Sequence, residues 1–170
     1  MLLVGGDPWS EWFRGLQRSA FHLEVRDSYS EASENNRLRA FLAGEPAPDE
    51  PPVPWHALMR ETTSRHVTVS RVRVVTEPLS GYHRWLLSIT GRNIESGEDI
   101  RYLPRHLAGV VPPDDWWLFD DERVVFNLAD TDGKPAGAAV TTDPGIVDYA
   151  MSVRDRLWKL ATPYAEYVGR

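Results

Sequence analysis

The stretch HVTVSRVRVVTEPLSGYHR, from His66 to Arg84, sets two arginines inside a run of valines. Alternate residues of an extended chain share a face. Val67, Val69, Arg71, Arg73 and Val75 therefore point one way, and Thr68, Ser70, Val72 and Val74 the other. Neither face is wholly polar, which predicts a strand covered on both sides. Arg71 and Arg73 then stand side by side, roughly 7 Å apart along the strand. A guanidinium taken out of water needs compensation. Glu24, Glu98 and Asp120 are the candidate carboxylates for bidentate pairing. A bound anion, a phosphate or a carboxylate, is the alternative, at the C-terminal end of the strand where open α/β sheets commonly hold ligands. In a third arrangement the arginines snorkel to the sheet edge. For the anion site, Tyr82 and Arg84 follow the strand by a tight turn and return to the same rim.

Other residues with chemical potential are sparser. Histidines occur at 22, 56, 66, 83 and 106, with no pair at the i, i+4 spacing of a helical metal site. The chain contains no cysteine, which excludes disulfides, thiol catalysis and Cys-ligated metals. No Gly-x-Ser-x-Gly elbow, Gly-x-Gly-x-x-Gly fingerprint or P-loop is present, so neither a metal nor another cofactor is expected. Glu24, Arg26, Asp27 and Tyr29 cluster in one short stretch, and Glu24 and Arg26 share a strand face where they can pair across the sheet. Glu98, Asp99 and Arg101 follow Gly97 and read as a turn whose charges satisfy their neighbours. If the chain is an enzyme, Glu24, Glu98 or Asp120 supplies the acid or base and the arginines orient a charged substrate.

The elements that must position these residues follow from periodicity. Glu11 to Gln17 carries Trp12, Phe13 and Leu16 at helical spacing. In SAFHLEVRDSY, Phe21, Leu23 and Val25 alternate with His22, Glu24 and Arg26, the pattern of a strand. EASENNRLRAFLAGEP reads as a helix stopped by Gly44, and residues 45–54 as a proline-rich internal loop. Trp55 to Ser64 predicts a helix, Val67 to Thr76 a strand, and about Gly81 to Ser96 a helix capped by Ser80. Ile100 to Leu103 is a short strand. Trp116 to Phe119 and Val124 to Leu128 form a hairpin around an acidic turn, with Trp116 and Trp117 on opposite faces. Gly137 to Thr141 adds a weak strand, and Asp143-Pro144 starts a helix running to about Ala161. Strands alternating with helices predict a single α/β (α+β) layered domain over residues 1–170, with a mixed sheet.

The chain of 170 residues has 42% hydrophobic residues, enough for a core without metal or disulfide support. No apolar run reaches membrane-spanning length and the N-terminus lacks a basic n-region, so a cytoplasmic protein without membrane association is expected. A net charge of −6 disfavours direct nucleic-acid binding, which needs a basic footprint. The charge is uneven. Residues 60–106 hold eight arginines against five acids, whereas the chain from Val110 onward is acidic. Pairing between these segments is the simplest cause, and a small anion site in the basic stretch the sharper one.

The stretches SAFHLEVRDSY, SRVRVVTEPLSGYHR, NIESGEDIRYLPR and DDWWLFDDERVVFN, with W-x-x-A-x-P-x-A-E-Y from Trp158 to Tyr167, together resemble an actinobacterial family, domain of unknown function 6879. The resemblance implies no established activity. It implies a regulatory role with a helix-turn-helix transcriptional regulator as partner. The layout also resembles, at fold level, a phospholipase-D-like half. The residues two beyond each histidine are Glu24, Leu58, Thr68, Trp85 and Ala108, so the His-x-Lys signature of that superfamily is missing. These readings lead to a non-catalytic regulatory protein binding a partner or a small anionic ligand through Arg71, Arg73, Tyr82 and Arg84. The alternative is an enzyme of specialised metabolism acting on a charged substrate.

Overall fold

The strand containing the two arginines lies inside a sheet, and its neighbours decide which groups meet them. The computed structural model describes residues 1–6, 8–27, 35–48, 51–131 and 134–169. In chain order the elements are β1 (Leu2–Val4), α1 (Trp9–Gly15), β2 (Ser19–Glu24), α2 (Asn35–Ala43), α3 (Pro54–Ser64), β3 (Thr68–Val75), α4 (Gly81–Glu95) and β4 (Glu98–Pro104). They continue with α5 (Arg105–Ala108), β5 (Trp116–Phe119), β6 (Arg123–Ala129), β7 (Pro135–Thr141), α6 (Pro144–Leu160), β8 (Thr162–Pro163) and α7 (Tyr164–Tyr167). The eight strands form one mixed sheet in the order β1-β7-β6-β5-β2-β3-β4-β8. β2–β3 and β3–β4 pair in parallel, and the other neighbours are antiparallel. The molecule is a single α/β domain, as its alternating pattern predicts.

Both sheet faces are covered, which explains the valines on each side of β3. On one face Phe21, Leu23, Val72, Val74, Trp116 and Leu118 pack against Val147, Ala150, Val153 and Leu157 of α6. On the other, Phe13 of α1 and Leu58 and Met59 of α3 pack against Ala20, Val69, Trp117 and Phe119. Fully burying a side chain such as Phe13 or Leu23 contributes about 1.5–3 kcal/mol. Trp116 and Trp117 divide between the two faces, as the alternation requires.

Local signals in the sequence account for three element ends that matter to the arginines' surroundings. Ser80 Oγ accepts from the His83 amide at 3.1 Å and so caps α4. Asp143 Oδ1 accepts from the Gly145 and Ile146 amides at 2.9 and 3.1 Å and caps α6. Gly97, at φ +104°, turns the chain from α4 into β4, and a Cβ there would collide with Thr63 of α3. That close approach fixes the start of β4, where Glu98 stands.

Several elements differ from the sequence expectation. α1 begins at Trp9, and β4 extends from Glu98 through Pro104 instead of being confined to Ile100–Leu103. Residues ahead of Asn35 in the predicted second helix lie outside the described residues. β1, α5, β8 and α7 are additional; each has four residues or fewer, too short to show a period.

Candidate functional site

Strand register brings the chemistry together. Across the sheet His22 lies opposite Trp117 on one side and Arg71 on the other, and Arg71 is opposite Ile100. One row on, Glu24 lies opposite Arg73, and Arg73 opposite Tyr102. These side chains form two adjacent rows on the face covered by α1 and α3. The alternation of β2 placed His22, Glu24 and Arg26 together; the pairing with β5 added Trp117, which no local pattern announces.

The two arginines are paired with carboxylates. Arg71 Nη1 donates to Glu24 Oε1 at 2.5 Å, while its Nε and Nη2 donate to Glu98 Oε2 at 3.2 and 2.7 Å. Arg73 Nε donates to Glu24 Oε2, and its Nη1 donates to Thr90 Oγ1 at 2.8 Å and to the Tyr102 hydroxyl at 3.0 Å. Glu98 also accepts from Trp55 Nε1 at 2.6 Å and from Asn93 Nδ2 at 2.8 Å. Glu24 thus bridges both guanidinia, and two positive charges meet two negative ones. Arg71 and Arg73 are 7% and 4% exposed, so the compensation is obligatory. Burial alone would raise the Glu24 carboxyl, but Arg71 and Arg73 hold it well below the usual carboxylate range. Burial also opposes the charge of Arg71 and Arg73; Glu24, together with Glu98 at Arg71 and Tyr102 at Arg73, more than restores it.

Above this network is a cleft of about 880 Å³. Its wall includes His22, Glu24, Arg71, Arg73 and Trp117 from the sheet, Trp55 from α3, and Tyr82, Trp85, Arg92 and Asn93 from α4. Arg26, Arg37, Asp115 and Asn127 also border it. Among the described lining residues, five arginines face two carboxylates. Arg37 also donates to the Pro51 carbonyl at 2.8 Å, tying α2 to the proline loop.

His22 sits at the centre of the floor. Its ring stacks on Trp117 with centroids 4.0 Å apart and planes 8° from parallel. Its Nδ1 is 3.5 Å from Glu24 Oε1. Neither imidazole nitrogen makes a hydrogen bond to the described residues. Burial pushes its pKa well below the ordinary value; Glu24 pulls upward, and Arg71 and Arg73 push down. The ring is therefore neutral at pH 7.

The structure sorts the sequence candidates. Arg71, Arg73, Glu24 and Glu98 form one network, and Tyr82 and Arg26 border the same cleft. The arginines sit within β3, not beyond its C-terminal end. Arg26 approaches Asp114 at 3.6 Å instead of pairing with Glu24. Arg84 is exposed on α4 and does not line the cleft, because the helical turn that buries Tyr82 and Trp85 points it elsewhere. Asp120 does not reach the arginines: at φ +53° in the β5–β6 turn, it accepts from the amides of Gln17, Arg18 and Ser19 at 3.0, 2.7 and 2.8 Å. Burial would raise its pKa, and these amide bonds lower it. Arg101 projects from the opposite sheet face, its guanidinium carbon 3.8 Å from the Trp158 ring centre and its Nε 3.9 Å from Asp99. Tyr29 lies outside the described residues. The basic stretch is met chiefly by Glu24, Asp27 and Glu98, not by the acidic C-terminal segment.

An α/β domain with a mixed sheet and a polar cleft over one sheet face is the class defined by this geometry. The chain belongs to the DUF6879 family, a domain of unknown function, whose model matches residues 7–169. No curated protein matches it. Among solved structures it is similar to Nuc, a phospholipase D family member from Salmonella typhimurium, with a TM-score of 0.57 and 12% identity, over 91% of this chain and 87% of that one. It is also similar to TrmBL2, an archaeal chromatin protein described as showing a novel mode of DNA binding, with a TM-score of 0.51 and 14% identity. That match covers 89% of this chain and 47% of the archaeal protein, so the chain spans about half of its length. At these identities the likeness is one of fold.

Proposed function

We propose that the protein is a non-catalytic regulatory protein of the cytoplasm whose cleft binds a small anionic ligand, acting with a helix-turn-helix transcriptional regulator. The observation that carries the ligand reading is the charge of the cleft wall: with Arg71 and Arg73 balanced by Glu24 and Glu98, the lining residues Arg26, Arg37 and Arg92 still stand against Asp115 in a chain of net charge −6. Its volume of about 880 Å³ falls within the usual range for small-molecule sites. The engagement of Glu24 and Glu98 by arginines favours binding over acid–base chemistry. A partner that reads DNA fits both the negative net charge and the likeness to part of a longer DNA-binding protein.

The test is thermal unfolding across a panel of small carboxylates and phosphates, with capture of an adjacently encoded helix-turn-helix protein. A ligand at a hundred times its Kd adds about 2.7 kcal/mol. For a chain of this size that raises Tm by about 5–11 °C. A panel without any shift contradicts the ligand reading, and failure of capture contradicts the partner reading.

The alternative is an enzyme of specialised metabolism acting on a carboxylate- or phosphate-bearing substrate. It is favoured by His22, an uncharged imidazole facing the cleft. With Glu24 and Glu98 engaged and Asp120 elsewhere, His22 would act as the base. A bound compound recovered unchanged after prolonged incubation contradicts this alternative.

A further inference from the structure

On the sheet face away from the cleft, α6 turns Val147, Ala150, Val153 and Leu157 into the core. At 3.6 residues per turn the opposite ridge of the helix carries Tyr149, Ser152 and Arg156, with Asp148 and Lys159 beside it, all exposed. Tyr149 is 56% exposed, and Val110, across a shallow groove completed by Ser152, Val153 and Arg156, is 86% exposed. Arg156 holds this surface in place: its Nη1 and Nη2 donate to the Ala108 and Val110 carbonyls, both at 2.5 Å. Those bonds lie in the guanidinium plane and leave its face free to meet an aromatic ring.

The order of side chains along the ridge decides what covers it. Ser152, the smallest, stands in the middle, and Tyr149 and Arg156 lie nearly equal distances before and after it. A second α6, turned antiparallel about a two-fold axis beside Ser152, brings its Arg156 level with Tyr149 and its Tyr149 level with Arg156. The axis keeps each residue on its own flank. Tyr149 and Arg156 share the Val110 flank, so ring and guanidinium meet twice. The same rotation carries Lys159 of one copy towards Asp148 of the other. Neither makes an ion pair among the described residues. Asp155, on the Asp148 flank, is already held by Arg154 of its own chain at 2.8 Å.

We propose that the outer ridge of α6 is a self-association surface on which a second copy of the chain packs antiparallel, each Tyr149 against the other copy's Arg156. The proposal does not rest on the cleft reading, because the cleft opens on the opposite sheet face. The ridge with Val110 offers fewer than the about 20–30 residues a side of a standard interface, so a reversible, micromolar dimer is expected.

The experiment is sedimentation velocity of the full chain from micromolar to millimolar concentration, where the wild type is expected to show a monomer–dimer equilibrium. Tyr149→Lys sets like charges together and should weaken the dimer about tenfold or more. Lys159→Asp should weaken it too, and adding Asp148→Lys should restore it, a rescue specific to contact with a second copy. The chain has no cysteine, so Ser152→Cys introduces a single thiol beside the axis. Oxidation should link it into a covalent pair, whereas Ser64→Cys, exposed on α3, should stay monomeric. A wild type that remains monomeric over the whole range overturns the proposal. A dimer that Tyr149→Lys leaves intact also overturns it, because that dimer is built on another surface. So does a monomer that needs Tyr149 to capture the helix-turn-helix protein, which would give the ridge a different occupant.

Discussion

Glu24→Gln is the perturbation that most directly stresses the network. It removes the charge that bridges Arg71 and Arg73 while preserving the side-chain shape. At the effective dielectric of protein sites, a charge pair about 4 Å apart is worth about 4 kcal/mol. Breaking a buried pair by removing one partner typically costs about 3–5 kcal/mol. Each kcal/mol moves Tm by about 2–4 °C in a chain of this size, so a fall of about 6–20 °C is expected. The assay is urea unfolding at pH 7.5 followed by tryptophan fluorescence, read as a lower midpoint at unchanged slope. Glu61→Gln is the control. Its pair with Arg14 is exposed, and its loss should cost less than about 1 kcal/mol. If Glu24→Gln costs as little as Glu61→Gln, the guanidinia are solvated and the reasoning about a sealed, charge-balanced floor is wrong.

Other predictions follow from the same geometry. His22 has a folded pKa depressed below its ordinary 6.5, so its contribution is intact above about pH 6.5 and is lost as pH falls below it. Its charged neighbours are Glu24, Arg71 and Arg73. His83 shifts in the same direction, so His22→Phe should remove part of the pH 6.5-to-5 decline in urea midpoint; an unchanged decline counts against the placement of His22. Glu24 adds a second loss as pH falls below 4.5, and this step should be missing in Glu24→Gln. Asp120→Ala should cost about 1–2 kcal/mol by uncapping three amides, with ligand affinity unchanged because Asp120 is outside the cleft lining. Arg92→Ala should weaken anion binding up to about fivefold and reduce its salt dependence, whereas Arg84→Ala should do neither in the same titration.

How much was legible in the sequence can be argued residue by residue. The pairing demand of Arg71 and Arg73 was readable from a single strand, because two guanidinia on an apolar face require counter-charge wherever the strand lies. Glu24 and Glu98 were nameable as partners for the same reason. Tyr82 was also legible, but the helical spacing that turns Tyr82, Trp85, Leu86 and Ile89 inward turns Arg84 outward; the proposed rim overrode that pattern. Period two likewise separates Arg101 from Glu98, placing Arg101 on the α6 side with Trp158. Asp120 was misassigned because a turn aspartate has local work to do, holding amides and tolerating a left-handed backbone. The His22–Trp117 stack depends on β2–β5 pairing across 95 residues, which no local spacing encodes.

The cleft assignment is tested most directly by the indole N–H signals of the seven tryptophans during a titration with anions. Trp9, Trp55, Trp85 and Trp117 line the cleft, whereas Trp116 and Trp158 pack on the other sheet face against or within α6. A saturable shift of the first four signals, with Trp116 and Trp158 stationary, is the result expected for a ligand seated over the arginine–glutamate floor. Shifts confined to Trp116 and Trp158, or no saturable shift with any carboxylate or phosphate, would contradict it.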